Sequence, residues 1–274
     1  MIETRTSASP MAMLGSLHRH RELILALVRR EVLGRYRGSV LGLAWSFLHP
    51  LFMLAVYTFV FSVVFQARWP GGGDSRVEFA LVLFTALLAF NLFAECVSRS
   101  PGLVLGNPNY VTKVVFPLEV LPVVSLLSAL FHAAVGLLIW MGFHLAVRGV
   151  PPATALLLPL ALAPLLLLTL GLSWFLASLG VFLRDVSQVV GVLTTTLMFM
   201  TPIFYAVSAV PPEYQAVMLA NPLTPVIEQV RGVMLWGQGL DWPAWGLQML
   251  LSSLLAWAGF AWFQSTRKGF ADVL

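Results

Sequence analysis

The chain has 274 residues, of which 59% are hydrophobic and only 10% charged, with a formal net charge of +4. Soluble domains carry roughly 45–50% apolar and about 25% charged residues, so a soluble globular fold is excluded. The length is consumed by membrane spans of about 20 apolar residues each, and no separate soluble catalytic domain fits. The basic residues flank apolar runs, so they read as topology signals and lipid anchors rather than as a nucleic-acid surface. Cys96 is the only cysteine, which rules out an intramolecular disulfide.

In chain order, Met1 to Pro10 is polar, and residues 1–16 read as a disordered tail. Residues 17–37 form an amphipathic helix in the membrane interface. Leu17, Ile24, Val28 and Val32 share one face, with Arg21, Arg29, Arg30 and Arg35 elsewhere. A soluble helix packed on a neighbour is the alternative. No cleavable signal peptide is evident, because the first apolar span starts near Ser39 behind a charged segment.

No Asp, Glu, Lys or Arg occurs between Arg37 and Arg68, Glu119 and Arg148, Arg148 and Arg184, Asp185 and Glu213, or Asp241 and Arg267. A sixth apolar run, Phe79 to Ser98, contains only Glu95. The gaps predict an all-α, polytopic membrane protein with six spans at 41–66, 79–98, 120–147, 153–183, 186–208 and 244–264, and residues 38–274 form one permease-like domain. An even number of spans puts both termini on one side. With the termini inside, inner segments hold 12 Lys and Arg residues and outer loops 4, so the positive-inside bias predicts cytoplasmic termini.

Two connections do not read as simple loops. The inner stretch 99–119 is punctuated by Pro101, Gly102, Gly106, Asn107, Pro108 and Pro117, which predicts short helical pieces between turns. The outer stretch 206–241 holds two apolar segments divided by Asn221-Pro222, each too short to span. Re-entrant helices account for both; an amphipathic lid on the outer surface is the alternative.

Catalytic signals are thin. No metal-ligand spacing, Gly-x-Ser-x-Gly elbow or phosphate-binding GxxxxGK[ST] is present. His132 and His144 share a span but lie 12 positions apart, on different faces. Glu95 is the one intramembrane carboxylate, and Arg99 four residues on predicts an i,i+4 pair rather than a proton path. Glu228 and Arg231 pair likewise. Trp45, Tyr57 and Phe61 in the first span, and Phe199, Phe204 and Tyr205 at the end of the fifth, are candidate channel-lining residues whose flat faces suit sugar rings. Ordinary lipid-facing or core packing competes for each of them.

Four segments carry a family resemblance. They are RELILALVRREVLGRYRGSVLGLAWSFLHPLF (Arg21 to Phe52), NPNYVTKVVFPLEVLP (Asn107 to Pro122), FLRDVSQVV (Phe182 to Val190) and TPIFYAVSAVPPEYQAVMLANPLTPVIEQVRG (Thr201 to Gly232). In this order they resemble the membrane (permease) subunit of bacterial ABC exporters for O-antigen, capsule and teichoic-acid polysaccharides.

The resemblance implies a homodimer in the bacterial inner membrane, bound to two P-loop ATPase chains. It moves a lipid-linked polysaccharide outward, with ATP and Mg held by the partner and no cofactor in this chain. Arg29, Arg30, Arg35, Tyr36 and Arg37 would belong to the interfacial helix. Pro101, Asn107, Pro108, Asn109, Tyr110, Lys113, Arg184 and Asp185 would face the ATPase. Tyr214, Asn221, Pro222, Glu228 and Arg231 would form the periplasmic gate. Where many relatives carry Arg before the Glu of an FPREILP-like box, Leu118 stands here. The alternatives are a permease for another amphiphile (lipid, drug or haem) and a membrane-embedded sugar transferase. For the latter, Asp74, Glu78, Glu213, Glu228 and Asp241 form no recognisable motif.

Overall fold

The computed structural model describes residues 9–64, 66, 69, 76–112 and 116–273. Arg68, Asp74 and Lys113, named above, lie outside these. The described residues form helices joined by turns, with no strand among them.

Near the amino terminus, α1 (Pro10–Arg19) precedes α2 (Arg21–Arg35). The tail expected through residue 16 is therefore helical from Pro10. Ser9 caps the helix by accepting a hydrogen bond from the Ala12 amide at 3.1 Å, and Pro10 preorganises the first turn. Helix α2 buries Ile24, Leu27 and Val32, but the single helix expected over 17–37 is broken at His20, so Leu17 lies on α1, and Leu25 and Leu33 are exposed beside Arg21, Arg29 and Arg30.

Among the described residues, five segments are long and apolar enough to cross a membrane. They are α3 (Trp45–Thr58) with its wider π-helical extension Phe59–Val64, α4 (Arg76–Arg99) with the turn Ser100–Gly102, and α6 (Val120–Val147). The turn Ala153–Leu157 with α7 (Leu158–Phe182), and α11 (Trp242–Thr266), complete the set. The short α5 (Pro108–Thr112) precedes α6, and α12 (Phe270–Val273) ends the chain.

The fifth predicted span, 186–208, is shorter than expected: α8 covers only Val186–Met200, 15 residues. Thr201 is extended (φ −102°, ψ 142°) because the ring of Pro202 excludes the residue before it from helical geometry. Beyond this stop lie α9 (Pro212–Ala220) and α10 (Leu223–Leu235), separated at Asn221-Pro222 as the sequence predicts.

Helix α4 is the axis of the bundle. It is apolar all round, and residues 79–87 are all buried, so every face needs a neighbour. Those neighbours are α3, α6, α7, α8 and α10. Helix α10 is not a lid: Val226, Ile227, Val230 and Val233 are each no more than 1% exposed, enclosed between α4 and α7. Helices α7 and α11 pack along most of their lengths, meeting at Gly171, Ala256 and Gly259. Without a hydrophobic force between helices in lipid, such small residues let the backbones approach and gain dispersion contacts. Helix α3 stands apart, with only Ser46 and Leu54 buried along Trp45–Thr58 and with Phe47, Phe52 and Phe59 exposed. Helix α1 and the segment after α11 meet at one end of the bundle, since Ser16 and Arg267 reach the same Glu119 carboxylate.

Candidate functional site

At the terminal end, the connection from α4 to α6 is folded onto the bundle. Pro101 is buried against Gly180 of α7, where an added methyl group would lie 2.2 Å from the Pro101 carbonyl oxygen. Only a glycine permits that approach. Asn107 donates from Nδ2 to the Leu103 carbonyl at 2.9 Å, closing the turn that launches α5. Pro108 and Asn109 are exposed. The Tyr110 ring stacks on Phe116 at 4.1 Å, and the Arg30 guanidinium of α2 lies 5.9 Å from the centre of the Tyr110 ring. Arg184 and Asp185 are exposed in the turn between α7 and α8, apart from α5 in the chain but at the same end.

Beside this connection, a cavity of about 610 Å³ opens between α2, α3, α4 and α6. Its polar wall is built from distant pieces of chain. The Glu95 carboxylate pairs with Arg35 of α2 and accepts from His132 Nδ1 of α6 at 3.0 Å. Arg99 is 3.6 Å from Glu95, the predicted i,i+4 pair, but its shorter partner is Glu31 at 2.5 Å. Tyr36 packs edge-on against His132, and burial holds its phenol above the usual tyrosine range, hence neutral. Trp45 and Tyr57 also line this cavity, whereas Arg29 and Arg37 are exposed on α2 and just after it.

The other candidate aromatics meet one another at the far end. Phe204 is 2% exposed, stacked on Phe61 at 4.2 Å, edge-on to Tyr57 at 5.4 Å and 5.6 Å from Phe199. This cluster ties α3 to the turn after α8, and Phe204 is packing at its centre. Tyr205 donates to the Phe199 carbonyl at 2.5 Å, and burial raises its phenol pKa.

Asn221 bridges the gap between α9 and α10 to the end of α8. It donates to Thr201 Oγ1 at 2.9 Å and accepts from the Leu223 amide at 3.0 Å. Pro222 precedes the first residue of α10 without a capping bond of its own, and Tyr214 is exposed on α9. Arg231 is fully buried. It donates to Glu228 at 2.8 Å and to the Ile203 carbonyl at 2.8 Å, and its guanidinium lies 4.2 Å from the centre of the Trp69 ring. Burial pulls its pKa down to about 10, against the opposing Glu228 charge, so it remains a cation at neutral pH.

One residue the sequence reading passed over is Glu119, 6% exposed within the Phe116–Pro122 box. Its carboxylate accepts from Ser16 at 2.8 Å and Arg267 at 2.9 Å, and its carbonyl accepts from Trp174 Nε1 at 2.9 Å. A lone carboxylate between prolines in an apolar box was the available signal. Among the described residues, no group of His, Cys, Asp and Glu is arranged to hold a metal ion.

A bundle of long apolar helices, with a turn-rich connection seated on it at one end and helices that do not span at the other, defines a multi-pass membrane protein. Residues 22–235 match the ABC-2 type transporter family, and the chain belongs to that family. It is similar to the O-antigen export system permease protein RfbA of Myxococcus xanthus, 30% identical over 258 residues covering 93% of this chain and 96% of the relative. An RfbA of Klebsiella pneumoniae is 26% identical over 92% of this chain and 95% of its own. The polysialic acid transport protein KpsM of Escherichia coli is 26% identical over 77% and 81%. The chain is thus a transport subunit, and the sugar-transferase alternative is set aside.

Proposed function

We propose that this chain is the membrane-spanning subunit of an ATP-driven exporter that moves a lipid-linked surface polysaccharide out of the cytoplasm. The observation that carries the reading is end-to-end similarity to permeases named for O-antigen export, over 93% of this chain and 96% of the relative. Two copies build the channel in the bacterial inner membrane, with both termini cytoplasmic by the positive-inside bias. Two ATPase chains supply the energy, because a chain without a phosphate-binding loop needs a partner to hold ATP and Mg.

In this reading the connection 99–119 is the docking element, and Tyr110, Asn109 and the Arg184-Asp185 turn face the ATPase. Closure of the ATPase dimer pushes the connection, and the Pro101–Gly180 seat passes the push to α7. Because α7 and α11 are packed backbone to backbone, they move as one body. Segment 206–241 forms the outer gate, built on Asn221 and Arg231. Trp45 and Tyr57 present stacking faces to the glycan.

Intact-complex mass measurement after mild-detergent purification tests this. Two copies with two ATPase chains and a bound lipid-linked glycan is the expected result. The same complex carrying only lipid or drug redirects the reading to another amphiphile, and a reproducible monomer without ATPase sinks it. A double variant, Asn107→Pro with Tyr110→Asp, should leave the complex in the membrane with ATP hydrolysis uncoupled from export.

A further inference from the structure

Glu119 receives one bond from each end of the chain. On one carboxylate oxygen sits the Ser16 hydroxyl of α1, 103 residues earlier; on the other, the Arg267 guanidinium, 148 residues later. Arg267 also donates to the Phe116 carbonyl at 2.7 Å, so it clasps the box at two points. Phe116 in turn carries the stacked Tyr110 of the docking connection. Phe270, 0% exposed, anchors the segment behind Arg267 against Phe182 of α7 and Phe263 of α11. A buried carboxylate tolerates few geometries, because any position that loses its donors leaves a desolvated charge.

We propose that Glu119 and Arg267 are positioning residues for energy coupling. The clasp fixes the docking connection to α1, α7 and the end of α11, so that a push on Tyr110 displaces helices instead of bending the loop. The inference deepens the export reading and rests on it. In energetic terms the clasp is a further link between the ATPase contact and the transmembrane helices, beside the Pro101 seat and the covalent continuity of the connection with α4 and α6.

The test uses the complete permease–ATPase complex and reads glycan exported per ATP hydrolysed. Arg267→Met, which keeps the apolar stem, is expected to lower that ratio about fivefold or more, at the lower end of coupling between sites. Arg267→Lys should restore part of it. Glu119→Gln combined with Arg267→Met should be no worse than Arg267→Met alone, since the pair acts as a unit. An unchanged ratio in Arg267→Met, with export and hydrolysis falling together as assembled complex is lost, would overturn the proposal by making the clasp structural only. If Arg267→Met fails to reach the membrane, Arg267→Gln and Glu119→Gln, each of which removes the charge pair, carry the test, and wild-type ratios in both overturn it. A wild-type complex that hydrolyses ATP yet exports no glycan sinks the export reading instead. In that case amide exchange of residues 108–119 in the complex decides the clasp separately: it should rise in Arg267→Met, and an unchanged rate counts against it.

Discussion

A β-carbon on Gly259 would lie 2.1 Å from the carbonyl oxygen of Gly171, so α7 and α11 touch main chain to main chain. Gly259→Val is expected to force the helices apart and destabilise the protomer by about 1–3 kcal/mol, the usual range for overpacking. Thermal unfolding in detergent checks this, and an unchanged midpoint would show that the contact can slide.

The same logic separates a seat from a spacer at the terminal end. A methyl group at Gly180 would meet the Pro101 backbone at 2.2 Å, whereas one at Gly34 meets nothing within 4 Å. Gly180→Ala should lower transport and its ATP coupling, while Gly34→Ala should leave both at wild-type levels. Equal behaviour of the two variants would remove the Pro101 seat from the transmission path.

For the buried cation, the asymmetry between partners is the useful quantity. Glu228→Gln leaves Arg231 enclosed without its counter-charge. Because the Glu228 side chain is itself 39% exposed, the cost falls toward the lower end of the range of about 3–5 kcal/mol for breaking a buried pair. Arg231→Met removes the charge itself and orphans mainly the Ile203 carbonyl, about 1–3 kcal/mol. Urea or thermal denaturation should therefore rank Glu228→Gln as the more destabilised variant. The reverse order would mean that solvent reaches Arg231.

The aromatic residues divide by surroundings. Phe61→Leu loses a stacked ring pair with Phe204, about 0.5–1.5 kcal/mol beyond area, and should register as lost stability. Trp45→Ala, on the cavity wall and 47% exposed, should slow glycan export with little change in stability. Wild-type export from Trp45→Ala would return that side chain to lipid.

The spans were legible because charge avoidance is a local, one-dimensional signal, and the ends of α6 coincide with the predicted 120–147. The early end of α8 was written in Pro202, but the apolar run Ile203 to Val207 kept the hydropathy signal alive past the stop. The Glu95–Arg99 pair was visible as a spacing. Its stronger partners, Arg35 and His132, were not, because they lie 60 and 37 residues away. The Glu119 clasp was hidden for the same reason: local sequence shows a carboxylate in an apolar box without showing which ends of the chain will fold back to it.

The early stop of α8 also bears on where this protein can change. At 1.5 Å per residue, 15 residues reach only about 22 Å, short of a hydrocarbon core of about 30 Å. The irregular backbone beyond Met200 is held by Asn221 and Arg231 through specific bonds to Thr201 and Ile203. By contrast, Val150, in the turn after α6, is 85% exposed, although the Gly149 carbonyl before it is bonded to His144 Nδ1 at 2.9 Å. Of these two connections, an epitope tag inserted at Val150 should be tolerated, while one inserted between Thr201 and Ile203 should disrupt the bonds from Asn221 and Arg231.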